Sequence, residues 1–271
     1  MDFTLSTYRQ LLQALSSKGF FFQTFSEYLT NPREKVVILR HDVDDKKLNS
    51  LRFAKIQAEY SIKGSYYFRI VPQSWDEKVI KEIHSLGHEV GYHYETMDSA
   101  SKNFGIQNSK FDIRYSKIIP DQLLDSAYTE FCNNLENLRR LVPVETICMH
   151  GSPRSKFDNR EIWKKYDYRK LGIIGEPYLD INFNNVAYLT DTGRRWNGEK
   201  VSIRDKVKSP FNFNFRTTHD FIRSVDQLPD KVMLTFHPQR WSDNFYDWEK
   251  ELIMQNAKNL VKRILLTLSS N

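Results

Sequence analysis

The stretch VVILRHDVDD, residues 36–45, sets a short β-branched apolar run directly against a histidine and three carboxylates. An amphipathic helical pattern follows over 46–59 and ends at a Lys63–Gly64 turn. An apolar run this short, bounded by polar residues, reads as a buried strand over 36–40. The same alternation recurs outward from it. A strand over 65–70 precedes a helix over 77–86 that Gly87 closes, and a strand over 89–94 precedes a long helix over 121–141. Residues 97–119 read as an irregular polar insertion. Further strands are expected over 145–149, 172–175, 186–189 and 232–236, and helices over 4–18, 161–166, 218–225 and 248–268. About seven buried strands alternating with helices define an α/β protein. A distorted (β/α)7-type parallel barrel, closed or partly open, is the natural architecture, with a doubly wound open sheet as runner-up. The nucleotide fingerprints GxGxxG and GxxxxGK[ST] are absent.

The chain has 271 residues, 40% of them hydrophobic, which is enough for a sizeable core. No apolar run reaches the ~18 residues that a membrane span needs. The first ten residues, MDFTLSTYRQ, lack the basic-then-apolar pattern of a secretory signal. Cys132 and Cys148 have no CxxC or CxxH neighbour. A reducing cytoplasm fits both observations. The net charge of +6 comes from 40 basic and 34 acidic residues interspersed along the chain. That excess suits an anionic ligand but is too diffuse for nucleic acid.

In parallel α/β folds the chemistry sits at the carboxyl ends of the strands. His41, His93, His150 and His237, four of the seven histidines, fall at such ends, with several carboxylates beside them. Gathering ionisable groups at one rim costs desolvation unless they pair or bind something. Imidazole and carboxylate from several elements is the donor set that divalent transition metals take. Asp42 and Asp44, two apart, face the same way in an extended segment, so that one can bind metal while the other takes a proton from water. The competing use for Asp44 or Asp45 is to cap the following helix. His93 and Glu95 likewise share a face. His150 precedes Gly151-Ser152, a tight turn whose free N–H groups can hold an oxyanion. His237, just before Pro238, suits a general acid. Arg69, Arg194, Arg195 and Arg240, with Trp196 and Trp241, are candidates to grip a substrate, since arginine forks anions and tryptophan stacks on sugar faces. Glu176 and Asp191 are supporting candidates behind them. His88, at the other end of its strand, reads as structural.

Taken in order, RHDVDD at 40–45, GHEVGYHYE at 87–95, HGSP at 150–153 and LTFHPQRW at 234–241 resemble the polysaccharide deacetylase superfamily. This is the carbohydrate esterase family 4 with its NodB-homology relatives, and the chain is most similar to a divergent WbmS-like subgroup of bacterial surface-polysaccharide proteins. The resemblance spans about residues 35–242. It implies one catalytic domain over 1–271, with an N-terminal helical extension and a C-terminal closing helix. It also implies metal-assisted removal of an acyl group from an amino sugar. By position Asp42 matches the family's base. The metal-binding Asp is displaced, with Val43 in its usual place, so Asp44 is the candidate. His93 matches the first metal histidine. Met97 stands where the second should be, and Glu95 or His150 is the candidate replacement. HGSP lies where the family has an arginine–proline motif. Leu234 and His237 keep the last motif, with His237 as acid.

These readings lead to a hydrolase that uses a divalent metal, zinc first and otherwise cobalt, nickel or manganese. Its expected substrate is an N-acetylated sugar in surface-polysaccharide (O-antigen) biosynthesis, nucleotide- or lipid-linked. Two rival readings stand beside it: a catalytically silent carbohydrate-binding protein of a glycan assembly complex, and a metal-dependent amidase for a non-sugar amide. The trailing helix either covers the barrel or pairs with a partner.

Overall fold

The computed structural model describes residues 1–104, 120–151, 157–197 and 207–268, with side chains described to residue 261. Its elements run α1 (Leu5–Ser17), β1 (Phe21–Gln23), α2 (Phe25–Thr30), β2 (Val36–Val43), α3 (Lys47–Glu59), β3 (Ser65–Phe68), α4 (Glu77–Ser85), β4 (Glu89–Tyr94) and α5 (Thr96–Asn103). They continue α6 (Asp121–Arg139), β5 (Ile147–Met149), α7 (Pro177–Asp180), β6 (Ala187–Thr190), α8 (Thr218–Arg223), β7 (Lys231–Phe236) and α9 (Phe245–Leu268). Short 3-10 turns fill several connections, among them Asn159–Lys164 and Pro238–Arg240.

The strands form one seven-stranded sheet in the order β5-β4-β3-β2-β7-β6, and each pairing is parallel. β2 is its centre. β7 pairs along one edge over 36–41; on the other edge β1 pairs with 36–38 and β3 with 40–43. All eight residues of β2 are buried, as a strand covered on both faces requires. The strand period of two sorts them. Val37, Leu39, His41 and Val43 face the helices, in contact with Tyr8 and Phe53 among others. Ile38, Arg40 and Asp42 face inward. Ile38, Tyr67, Cys148 and Met233, from four strands, share one inner cluster with Tyr178 and Tyr188. Side chains from both edge strands, β5 and β6, therefore meet, and the sheet is curled into an open barrel. The gap between those edges is bridged by one isolated pairing, Thr146 with Gly175, and by α7.

Within this frame two expectations need correction. Residues 172–175 are not a strand: Gly172 takes φ 71°, Ile174 is exposed, and only Gly175 pairs. The seventh strand is instead β1, whose three residues are too few to show a period. Residues 96–103 form α5 rather than an irregular insertion; its buried face is Thr96, Met97, Ala100 and Ser101, too small and polar to register as an apolar stripe. The remainder of that insertion, 105–119, lies outside the described residues. Gly91 is required by close approach. A Cβ there would run into the Tyr67 ring and stand 2.9 Å from the Thr146 carbonyl oxygen.

Two histidines are built into the core as neutral rings. His41, at the strand end, turns away from the barrel interior. Its Nδ1 lies 3.1 Å from the Ser65 carbonyl oxygen and must donate, so Nε2 accepts from Gln57 at 2.9 Å. His88 Nδ1 accepts from the Gly64 N–H at 3.2 Å while Nε2 donates to the Ala54 carbonyl at 3.0 Å. Burial lowers His41 to about 3 and His88 to about 4. As pH falls through ~6.5 the unfolded chain takes up protons that the folded rings refuse, so stability is lost down to those folded values. Each ring contributes a slope of about 1.4 kcal/mol per pH unit. His88→Gln keeps one donor and one acceptor, and denaturant titrations should show its acid slope between pH ~6 and ~4 reduced by about one proton. An unchanged slope would contradict the neutral-core assignment.

Candidate metal centre and active site

β2, β4, β5 and β7 deliver their last side chains to one end of the barrel. Asp42 points inward from β2, and Asp44 follows just beyond the strand with its N–H bonded to the Asp42 carbonyl at 3.1 Å. The capping alternative for Asp44 is answered here. α3 begins at Lys47 behind Lys46, which is left-handed at φ 49° and supplies no side-chain cap. The helix does not use the Asp44 carboxylate.

Three imidazoles surround that carboxylate. His93 Nε2 stands 3.4 Å from Asp44 Oδ1, His150 Nε2 3.6 Å from the same oxygen, and His237 Nε2 3.9 Å from Oδ2. Two of the rings, His93 and His237, are held from behind at Nδ1, while His150 Nδ1 is buried without a hydrogen-bond partner. His93 Nδ1 donates to the Cys148 carbonyl at 2.9 Å. His150 Nδ1 lies 3.1 Å from Glu95 Oε2. His237 Nδ1 donates to Asp191 Oδ1 at 2.6 Å. For His93 a donor fixed at Nδ1 leaves the Nε2 lone pair facing Asp44, the arrangement by which metal-ligating histidines are oriented.

The supporting carboxylates are themselves pinned by cations. Glu95 receives Arg69 through Nε and Nη2 at 2.7–3.0 Å. Burial alone would raise Glu95, but His150 and Arg69 outweigh it and hold it at about 2. Asp191 is fully buried and accepts four hydrogen bonds, from the His237 ring and N–H, Arg240 Nη1 and Trp241 Nε1. Asp42 is gripped by Arg40, Nε to Oδ1 at 2.9 Å and Nη2 to Oδ2 at 2.6 Å, with the guanidinium also on the Tyr178 hydroxyl. Asp44 differs. Among the described residues it carries no guanidinium or ammonium bond, only Gln239 Nε2 at 3.2 Å on Oδ2, and its Oδ1 is buried without a hydrogen-bond partner.

These distances fit a metal ion. In a tetrahedral site with bonds of about 2.0–2.1 Å, neighbouring donors stand ~3.4 Å apart. Asp44, His93 and His150 offer three donor atoms within 4.8 Å of one another. Two other groupings satisfy the same limit, Asp42–His93–Cys148 and Glu95–Asp98–His150. Arg40 holds the Asp42 carboxylate of the first and Arg69 the Glu95 carboxylate of the second, whereas the Asp44 carboxylate has no guanidinium on it among the described residues, which makes its grouping the better centre.

The structure sorts the remaining candidates. Glu95 stands behind His150 rather than in the donor ring. Arg69 reaches Glu95 and the Asp44 backbone carbonyl at 3.2 Å, and Arg240 reaches Asp191. Gly151 is exposed beside His150, and Ser152 lies outside the described residues. Four candidates for gripping a substrate are placed elsewhere, because their apolar surfaces are taken up by packing. Trp241 is fully buried against Phe3, Tyr8 and Phe236, its N–H spent on Asp191. Trp196 is buried with its N–H on Thr218. Arg194 bonds the Trp248 carbonyl and lies over the Phe3 and Trp248 rings. Arg195 is bonded to Asn197 at 2.6 Å. Glu176, fully buried, caps α7 and accepts the Met149 N–H at 3.0 Å; burial raises it to about 7, with that N–H opposing. Sequence reading missed Arg40, Gln239 and Asn159. Asn159 Nδ2 holds the His150 carbonyl at 2.7 Å while its Oδ1 accepts the Met97 N–H, tying β5 to α5. Only Arg40 carried a signal, two residues before Asp42 on the same strand face.

No family model and no curated protein matches the chain. Among solved structures it is similar to a CE4 esterase from Streptococcus mutans, at 12% identity and TM-score 0.45 over 92% of this chain and 89% of that one. It is also similar to a family 4 carbohydrate esterase from Bacillus anthracis, at 12% identity and TM-score 0.39 over 91% and 84%. A third is a CE4 family pseudoenzyme from Bacillus anthracis, at 12% identity and TM-score 0.40 over 84% of this chain and 63% of that one.

His93→Ala and His150→Ala should each abolish near-stoichiometric divalent metal in elemental analysis of purified protein. Glu95→Gln should weaken metal affinity by roughly 10–100-fold in titrations. His237→Ala should retain metal. Wild-type metal content in His93→Ala would overturn the centre described.

Proposed function

We propose that the chain is a metal-assisted hydrolase that removes an acyl group, N-acetyl first, from a sugar. The observation that carries the reading is the orphaned Asp44 oxygen between the Nε2 atoms of His93 and His150, with Asp42 and His237 beside it. Asp42 Oδ2 is 3.9 Å from His93 Nε2. The order of the strand-end motifs supports the choice of an acylated sugar.

Asp44, His93 and His150 would hold a divalent ion, zinc by the borderline donor set. When bound it supplies Lewis acidity to the scissile carbonyl and lowers the pKa of water. The chain's own residues perform the rest. Asp42 accepts the proton of the attacking water. Arg40 holds both Asp42 oxygens, so the carboxylate cannot rotate out of line. The Gly151 N–H, next to His150 at the exposed strand end, would receive the developing oxyanion. His237 enters the step as the imidazolium, gives its Nε2 proton to the leaving amine and ends as the neutral ring, while Asp191 accepts from Nδ1–H and stabilises the charged form. Arg240 and Trp241 neutralise and anchor Asp191, so they act through His237 rather than on the sugar. In finer terms the substrate is a cytoplasmic precursor of surface polysaccharide, whose nucleotide or lipid carrier would meet the chain's net charge of +6.

Acetate release from a panel of N-acetylated sugars, with small linear and cyclic amides as controls, tests the reading. Metal-loaded wild type should deacetylate a sugar. Asp42→Asn should lower kcat by roughly 100-fold to 10,000-fold while keeping metal and fold, and His237→Ala should do the same. Normal turnover by Asp42→Asn would remove the base assignment. Metal-loaded protein that cleaves only the amides would remove the sugar.

A further inference from the structure

α9 is amphipathic the wrong way round. A surface helix ordinarily turns its apolar stripe to the core. Here Glu251, Gln255 and Asn259 face the body at 9%, 3% and 9% exposure, while Tyr246, Ile253, Leu260 and Val261 face outward at 80%, 63%, 61% and 56%. The inner contacts are specific. Asn259 Nδ2 donates to the Gly193 carbonyl at 3.0 Å, Gln255 Nε2 to Asn259 Oδ1 at 2.8 Å, and Arg194 Nη1 to the Trp248 carbonyl at 3.1 Å. Lys46 Nζ lies 3.7 Å from Glu251. With its polar face held in this way, the helix cannot roll its apolar face inward.

The outer face has a strict repeat. Tyr246, Ile253 and Leu260 are spaced by seven, as are Met254 and Val261, and Lys250 and Ala257 fall between them in the alternating three–four spacing. That is the seam of a helix pair. Charge decides the partner and its direction. The half before Ala257 carries the exposed acids Asp247 and Glu249, and the sequence beyond it carries Lys258, Lys262 and Arg263. A parallel second copy would set Lys250 against Lys250 in the seam. An antiparallel copy sets Lys250 against Leu260 and Ile253 against Ala257, and brings each acidic half beside a basic one. An anionic lipid surface would be repelled by the acidic half. We propose that α9 is a self-association surface, pairing antiparallel with the same helix of a second copy of this chain.

Sedimentation equilibrium of the full chain should give twice the 32.2 kDa chain mass. Ile253→Glu with Leu260→Glu, both at exposed positions, should raise the dissociation constant by roughly 100-fold or more with unchanged far-UV circular dichroism. Direction is read in a Cys132→Ser background: Lys250→Cys mixed with Leu260→Cys should form a mixed disulfide under mild oxidation, and neither should couple to itself. A wild type of single-chain mass, or a dimer that the double substitution leaves intact, would overturn the proposal. So would self-coupling of each cysteine variant. A monomer that floats with phosphatidylserine vesicles would overturn it in favour of a lipid surface.

Discussion

The position of the Asp44 carboxylate among three imidazole Nε2 atoms depends on what stands behind each ring at Nδ1. A neutral imidazole offers one donor and one acceptor, so tying Nδ1–H to an oxygen behind it commits Nε2 to face forward. For His93 the anchor is a strand carbonyl, that of Cys148. For His237 it is Asp191, while His150 Nδ1 stands 3.1 Å from Glu95 Oε2 without a hydrogen bond. A parallel sheet lets four strands end together and presents their last side chains to one point, and the curl of the sheet closes the distance between them.

Buried carboxylates are costly unless paired and hydrogen-bonded, and this barrel pairs them in sequence. Arg40 holds Asp42, Arg69 holds Glu95, and Arg240 with Trp241 holds Asp191. Each guanidinium fixes the orientation of a carboxylate that positions or works beside a histidine. Asp44 alone in this group is left to the imidazoles and one amide donor. The charge imbalance at that oxygen is what a bound cation would relieve, beside Asp42 and His237, the two groups proposed to move protons.

The sequence disclosed the sheet well where strands are long enough to show a period. β2, β4 and β7 read directly from apolar runs, and α3, α4 and α6 from their stripes. β1, three residues long, left no pattern, and a β-branched pair at Ile173–Ile174 mimicked a strand that the turn at Gly172 cuts short. Strand-end placement brought Asp42, Asp44, His93, His150 and His237 to one locus. It failed for tryptophans and arginines, because spacing alone does not tell a stacking platform from a core residue. Trp196 and Trp241 are buried in a ring cluster with Phe236, and Arg194 lies over Phe3. Arg40 went unnoticed for the opposite reason: a buried arginine inside a strand is recognised only when its carboxylate partner is seen on the same face.

The most direct measurement is anomalous diffraction from crystals grown with zinc, recorded on both sides of its absorption edge. The account predicts one strong peak bonded to Asp44 Oδ1 and to Nε2 of His93 and His150, with His237 outside the bonded set. A peak bonded instead to Glu95 and Asp98, or a fully loaded crystal with none at Asp44, would contradict it.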